Sequence, residues 1–173
     1  MKKLYLFNPE NDMALASGSP YYMAPASAKK MANDLAVLPA WYADAGSEIL
    51  VGDSRQVDWL REGCRLSLPV NGVLSVSDEY EEIIPWGWSP ALKHRLGMDT
   101  VSEVDVDYLR SLSSRMTAVG LLPKLRIEGT IGESYWLTSL ENVSAFSLKH
   151  DHVLLKAPWS GSGKGIQLLC GLP

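Results

Sequence analysis

Residue types that suit phosphate binding are concentrated in one short stretch of the sequence. Lys156 follows the apolar residues 153–155, and a second apolar run covers residues 166–169. Between the two runs lie Ser160, Gly161, Ser162, Gly163, Lys164 and Gly165. Glycine lets backbone N–H groups turn towards an anion, serine adds hydroxyl donors, and the two lysines add positive charge. The stretch therefore predicts two strands joined by a cationic loop that suits a polyphosphate.

Two familiar phosphate-binding motifs do not fit this stretch. Walker A requires Ser or Thr after its Gly-Lys pair, whereas Gly165 follows Lys164. The dinucleotide fingerprint requires a glycine three residues after Gly163, where the sequence has Ile166. Residues 155–166, in which a strand lysine is followed by a Gly-rich loop and a second strand, resemble instead the phosphate-binding hairpin of the ATP-grasp ligases.

The resemblance implies a function for each part of the stretch. In ATP-grasp proteins the strand lysine contacts the nucleotide phosphates and the loop folds over them, which implies that Lys156 and residues 160–165 bind ATP. It also implies that a small carboxylate substrate is activated as an acyl phosphate before an amine or thiol attacks. The Mg²⁺ ligands of that family follow the loop, so their counterparts are expected beyond Pro173. These residues alone are accordingly expected to be an inactive fragment of a ligase-like protein.

The same residues also allow simpler interpretations. A hairpin of glycine and serine whose lysines are only solvated would have a similar sequence. The chain could be a non-enzymatic α/β module whose polar loops bind a small ligand or a partner, or a purely structural domain without a ligand. A nucleotide-binding titration separates the ATP-binding interpretation from these alternatives.

A second group of polar residues follows the first apolar run of the chain, residues 4–7. Asn8, Glu10, Asn11 and Asp12 are all found within five positions. Open α/β sheets bind ligands beyond the carboxyl ends of their strands, so these four residues are candidates for substrate binding. Asn and Asp also begin helices well, and a turn that caps a helix over residues 13–16 explains most of them without a ligand.

The order of elements predicts a parallel sheet. Residues 4–7 and 48–51 have the pattern of buried strands, and residues 27–38 between them have apolar positions at helical spacing. A strand, a helix and a strand in this order indicate a parallel pair with a crossover. Further along, residues 67–76 predict one or two short strands, broken by Pro69 and by the turn signal Asn71-Gly72, and Ser89-Pro90 is a strong helix start.

Residues 105–122 form the longest helical pattern, with apolar residues at spacings of three and four. With the resemblance, this layout implies three parts: an α/β, Rossmann-like pre-ATP-grasp domain over residues 1–100, a linking helix over 101–124, and an incomplete α+β start of the ATP-grasp fold over 125–173. The unfinished hairpin has an apolar edge at Ile166, Leu168 and Leu169, which predicts association into a homo-oligomer.

The composition limits the other partners. A hydrophobic content of 46% and a charged content of 21% are ordinary for a globular protein, and a formal net charge of −4 without a basic stripe argues against nucleic acid. Cys64 and Cys170 lack the spacing of a metal site or a disulfide framework. The apolar part of the N-terminus is too short for a signal peptide or a membrane span, so the expected location is the cytoplasm, with no membrane partner.

Overall fold

The computed structural model describes residues 2–63, 67–98, 105–159 and 165–170. The chain forms two compact units, Met1–Val106 and Asp107–Pro173, which are considered separately below. Most of the residues predicted as a linking helix belong to the second unit. Within the described residues, no helix combines the length and the apolar character that a membrane crossing requires.

The first unit is built on a four-stranded parallel sheet. Its strands are β1 (Lys3–Leu6), β2 (Glu48–Leu50), β3 (Asn71–Val73) and β4 (Glu82–Pro85), in the spatial order β3-β2-β1-β4. Leu4 lies opposite Glu48 in the parallel pair β1–β2, which confirms the predicted parallel α/β arrangement. The chain builds outward from β1 to β3 and then returns to the other side of β1, so the direction of winding reverses between β1 and β4.

Short helices lie between β1 and β2, between β2 and β3, and after β4. They are α1 (Asn11–Ser17), α2 (Ala26–Asp34), a 3₁₀ turn (Leu38–Trp41), α3 (Ser54–Asp58), a π-helical turn (Trp59–Gly63) and α4 (Pro90–Arg95). The predicted start of α4 is confirmed, because the Ser89 hydroxyl accepts a hydrogen bond from Leu92 N at 3.3 Å. The pattern over residues 27–38 gives a shorter helix, since α2 ends at Asp34.

One hydrophobic cluster of the first unit is built around side chains from β1, from β2 and from the residue directly after β2. Tyr5, Ile49 and Val51 pack against Ala36, Ala40 and Leu60 from the helical segments. Val70, the residue directly before β3, belongs to the same cluster. The predicted turn at Asn71-Gly72 is wrong, because both residues belong to β3. A Cβ on Gly72 would lie 3.1 Å from Val57 Cα, so glycine at this position lets β3 approach α3 closely.

Charged side chains at the amino ends of the strands pair with one another. Lys3 Nζ lies 2.8 Å from Asp44 Oδ2 and 3.3 Å from Glu82 Oε2, and these bonds raise the pKa of Lys3. The Tyr80 hydroxyl donates to the Glu48 carboxylate, and burial followed by this bond raises the pKa of Tyr80 to about 12. The charged side chains at the amino edge of the sheet therefore have partners within the first unit.

The second unit contains helices and a hairpin. The helices are α5 (Val106–Ser113), which begins at the last residue of the first unit, α6 (Arg115–Leu125) and α7 (Leu140–Ser147). The prediction of one continuous helix here is wrong. Ser114 separates α5 from α6, because its extended backbone and its hydroxyl, which accepts from Met116 N at 3.2 Å, start a new helix.

The hairpin of the second unit consists of β5 (His152–Lys156) and β6 (Ile166–Cys170), which pair in antiparallel orientation. Val153 is buried, whereas Leu154 and Leu168 are exposed. These exposed apolar residues of a two-stranded sheet are accessible to a second chain, and the predicted self-association stays a prediction.

Candidate functional site

The candidate phosphate site starts at the end of the hairpin. Lys156 is the last residue of β5 and lies opposite Ile166, the first residue of β6. Beyond this pair, Ala157 N donates to Gly165 O at 2.8 Å. The strand–lysine–loop–strand order of the sequence is therefore realised, with residues 158–164 between the paired ends. The side chain of Lys156 is exposed, and its Nζ has no partner within the described residues.

The first arm of the loop is held by the start of α6. Arg115 N donates to Pro158 O at 3.1 Å, and the Arg115 guanidinium donates to Ala157 O. The Arg110 guanidinium lies over the Trp159 ring, 5.0 Å from its centroid. These contacts fix residues 157–159 and bring two guanidinium groups close to the base of the loop.

Trp159 carries a buried hydrogen-bond donor that no described residue accepts. Its Nε1 is buried and has no acceptor within the described part of the chain. A buried N–H without an acceptor is unfavourable, so the site would gain from an acceptor supplied by a ligand.

Most of the other predicted phosphate-binding residues are not among those that the structure describes. Ser160, Gly161, Ser162, Gly163 and Lys164 lie outside the described residues. Gly165 is described and has a positive φ of 67°, a conformation that favours glycine over other residues.

A second candidate site is a cavity of about 730 Å³ in the first unit. It lies at the carboxyl ends of β1 and β2, where it is lined by Leu6, Phe7, Leu50, Val51 and Gly52. Helices α1, α2 and α4 and the segment over residues 20–24 complete its wall. It adjoins β1 and the helix that follows β4, so it lies where the winding of the sheet reverses, the usual ligand position in open α/β sheets.

Two of the four polar residues after β1 hold the backbone together. Asn8 is 2% exposed; its Nδ2 donates to Gly87 O at 2.8 Å, and its Oδ1 accepts from Gly87 N at 3.2 Å. The Asn11 amide, turned to satisfy its neighbours, donates to Gly87 O at 2.9 Å and to Trp88 O at 3.0 Å. Both side chains therefore tie the end of β1 to the loop after β4, and neither of them lines the cavity.

The other two polar residues differ in their surroundings. Asp12 is exposed in the first turn of α1 and does not line the cavity. Glu10 does line it. The Oε2 atom of Glu10 is buried without a hydrogen-bond partner, and its Oε1 atom lies 3.7 Å from Arg95 Nη1.

The remaining charged and aromatic residues of the cavity were not predicted from the sequence. Lys29 comes from α2, His94 and Arg95 come from α4, and Tyr21 comes from the segment between α1 and α2. The Tyr21 and His94 rings meet edge to face with centroids 4.9 Å apart. The packing of α4 beside α1 brings the basic end of α4 to Glu10.

Neither candidate site includes a preformed metal centre in the described part of the chain, where no three His, Cys, Asp or Glu side chains are grouped to hold an ion. Comparison with known proteins gives no match to any family model, curated protein or solved structure. The proposals below therefore depend on the geometry of this chain and on the local resemblance of its hairpin.

Proposed function

We propose that the second unit binds the phosphates of ATP through Lys156 and the loop over residues 160–165. The observation that supports this best is the exposed ammonium group of Lys156, which lies at the last residue pair of the hairpin and has no partner among the described residues. A lysine at a strand end presents a compact positive charge at a fixed position, which suits a phosphate.

The surroundings of Lys156 favour an anion. Arg110 and Arg115 add positive charge near the base of the loop. The three glycines of the loop place no Cβ between backbone N–H groups and an anion. This set of donors fits the triphosphate of ATP and gives no reason to expect a neutral ligand.

The proposal extends to the family that the hairpin resembles. We propose that the first unit corresponds to the Rossmann-like pre-ATP-grasp domain and that the chain is an ATP-binding part of a ligase-like protein. Bound ATP would supply the phosphoryl group that activates a small carboxylate. The contribution of this chain would be to hold and neutralise the phosphates, which provides much of the catalysis in phosphoryl transfer.

Isothermal titration calorimetry with ATP tests the proposal. A charge-assisted hydrogen bond to phosphate contributes about 1.5–3 kcal/mol, and the exposure of Lys156 favours the lower end. The Lys156→Ala variant should therefore bind ATP about tenfold more weakly than the unmodified chain.

The matched control is Lys124→Ala, which removes an exposed lysine from the last turn of α6 in the same unit. It should leave the affinity for ATP unchanged. No binding of ATP by the unmodified chain, or equal weakening by the two substitutions, would leave the solvated hairpin as the better interpretation.

The second candidate function is that of a small-molecule-binding module without catalysis. The cavity at the carboxyl edge of the parallel sheet favours it, because a volume of about 730 Å³ suits a small ligand. This function concerns the first unit only, so it is compatible with phosphate binding by the second.

A further inference from the structure

We propose that the cavity of the first unit binds a small organic amine, with the ammonium group at Glu10 and the apolar body against the ends of β1 and β2. The inference is independent of the proposed nucleotide site, because every residue that lines the cavity belongs to the first unit.

The wall of the cavity selects for an apolar body. Leu6, Phe7, Leu50 and Val51 line the side formed by the strands, and Ala14 and Ala32 line the sides formed by α1 and α2. The small alanine side chains leave the space that larger residues would fill. Burying an apolar group here gains roughly 25 cal/mol per Å² of surface removed from water, so a hydrocarbon body contributes to affinity without a specific partner.

Glu10 supplies the polar contact. Only 14% of its side chain is exposed, and the buried Oε2 atom has no hydrogen-bond partner within the described residues. Ionised carboxylate oxygens accept hydrogen bonds and cannot donate them, so a donor is required. An ammonium group supplies both the N–H donor and the opposite charge, and such charge-assisted bonds are about twice as strong as neutral ones.

The nearest cation of the protein does not fulfil this need. Arg95 Nη1 lies 3.7 Å from Glu10 Oε1, beyond hydrogen-bond distance, and the Arg95 side chain is 59% exposed. Lys29, on another wall of the cavity, is also exposed. Their charges act partly through water, whereas the Glu10 carboxylate is largely buried at the cavity wall, where its charge is screened less.

These two cations also define the rival ligand. A carboxylate could bind to Lys29 and Arg95 with its apolar body in the same space. We favour the amine because Glu10 is the most buried of these three charged groups, so water screens its charge least, whereas Lys29 and Arg95 are exposed.

A set of three probes with the same phenyl body separates these possibilities: phenethylamine, 2-phenylethanol and 3-phenylpropionate. Binding to the unmodified chain is measured by ligand-observed NMR titration. Phenethylamine should bind at least about tenfold more tightly than the alcohol, because the charge-assisted bond adds to the same apolar contacts. Phenylpropionate should bind more weakly than either.

The Glu10→Gln variant then identifies the group responsible. It should lower the affinity for phenethylamine about tenfold and leave that for 2-phenylethanol nearly unchanged. The matched control is Asp12→Asn, which neutralises an exposed carboxylate two positions away that does not line the cavity. It should alter neither affinity.

The proposal is overturned if phenylpropionate binds the unmodified chain as tightly as phenethylamine, or if none of the three probes binds. It is also overturned if Glu10→Gln and Asp12→Asn affect phenethylamine equally. If the Glu10 variant does not fold, the comparison of the three probes on the unmodified chain still tests whether the cavity prefers an amine. Neither result depends on ATP, so failure here is distinct from failure of the nucleotide site.

Discussion

Replacing Asn8 by alanine should strongly destabilise the first unit. The side chain is 2% exposed and makes two hydrogen bonds with Gly87, to its carbonyl oxygen at 2.8 Å and from its N–H at 3.2 Å. Each bond contributes about 0.5–1.5 kcal/mol, and leaving the Gly87 N–H without its partner adds to the loss. The free energy of unfolding should fall by about 2–4 kcal/mol, a large part of the 5–15 kcal/mol typical of a domain.

Amide hydrogen exchange of β1 measures this change directly, since β1 belongs to the first unit and exchanges only when that unit opens. The matched control is Asn71→Ala, which removes an exposed amide side chain from β3 and should alter stability by less than about 0.5 kcal/mol. If Asn8→Ala exchanges as slowly as Asn71→Ala, the clamp between the ends of β1 and β4 does not hold the unit together.

Two further predictions concern the first unit. Gly87→Ala should destabilise it by about 1–3 kcal/mol, because the new Cβ would lie 2.2 Å from the side-chain amide of Asn11, and Asn11 is buried. A Gly97→Ala variant at an uncrowded, positive-φ glycine separates crowding from backbone strain. Equal stability of Gly87→Ala and the unmodified chain in urea unfolding would contradict the prediction. The second concerns alkaline pH. The folded-state pKa of Tyr80 is about 12 against about 10 when unfolded, so its stabilising contribution is complete below about pH 10 and is lost as the pH rises through about 12. Tyr80→Phe should show a shallower loss of stability over this range, and parallel curves for the two proteins would refute the assignment.

The parts of the fold that follow from local chemistry could be predicted from the sequence. The parallel pairing of β1 with β2 follows from apolar runs on either side of a helical pattern. The start of α4 follows from Ser89 and Pro90, since a hydroxyl cap and a ring-fixed φ act within one turn. Both signals lie within the segment that they specify.

Other elements depend on contacts that are distant in the sequence. Gly72 has the local preference of a turn, yet it lies in β3. Val57 in α3 comes so close that a side chain at position 72 would be crowded, which accounts for a glycine within this strand. The strand β4 was not predicted, because acidic residues precede it and Pro85 ends it. As an edge strand, β4 has only β1 as a neighbour and therefore tolerates proline.

The break at Ser114 shows that apolar periodicity alone does not locate a helix boundary. Apolar spacing continues across it from Val106 to Leu122, so periodicity predicts one helix. The hydroxyl of Ser114 competes for a backbone N–H and starts a second helix instead.

The candidate site at the cavity also combines a feature that could be predicted from the sequence with features that depend on distant contacts. The position of Glu10 at the carboxyl edge of the sheet could be predicted from a strand followed by polar residues. The same reasoning could not separate Glu10 from Asn8 and Asn11, because their contacts with residues 87 and 88 appear only when β4 lies beside β1. Lys29 and Arg95 join the cavity from helices that the sequence alone does not bring together.

The central claim is that Lys156 recognises phosphate, and a series of nucleotides tests it most directly. ATP, ADP, AMP and adenosine are titrated into the unmodified chain and into Lys156→Ala. Affinity for the unmodified chain should rise with the number of phosphates, and the ratio of ATP to adenosine affinity should fall about tenfold in the variant while adenosine binding stays the same. A ratio that is the same in both proteins would contradict the claim.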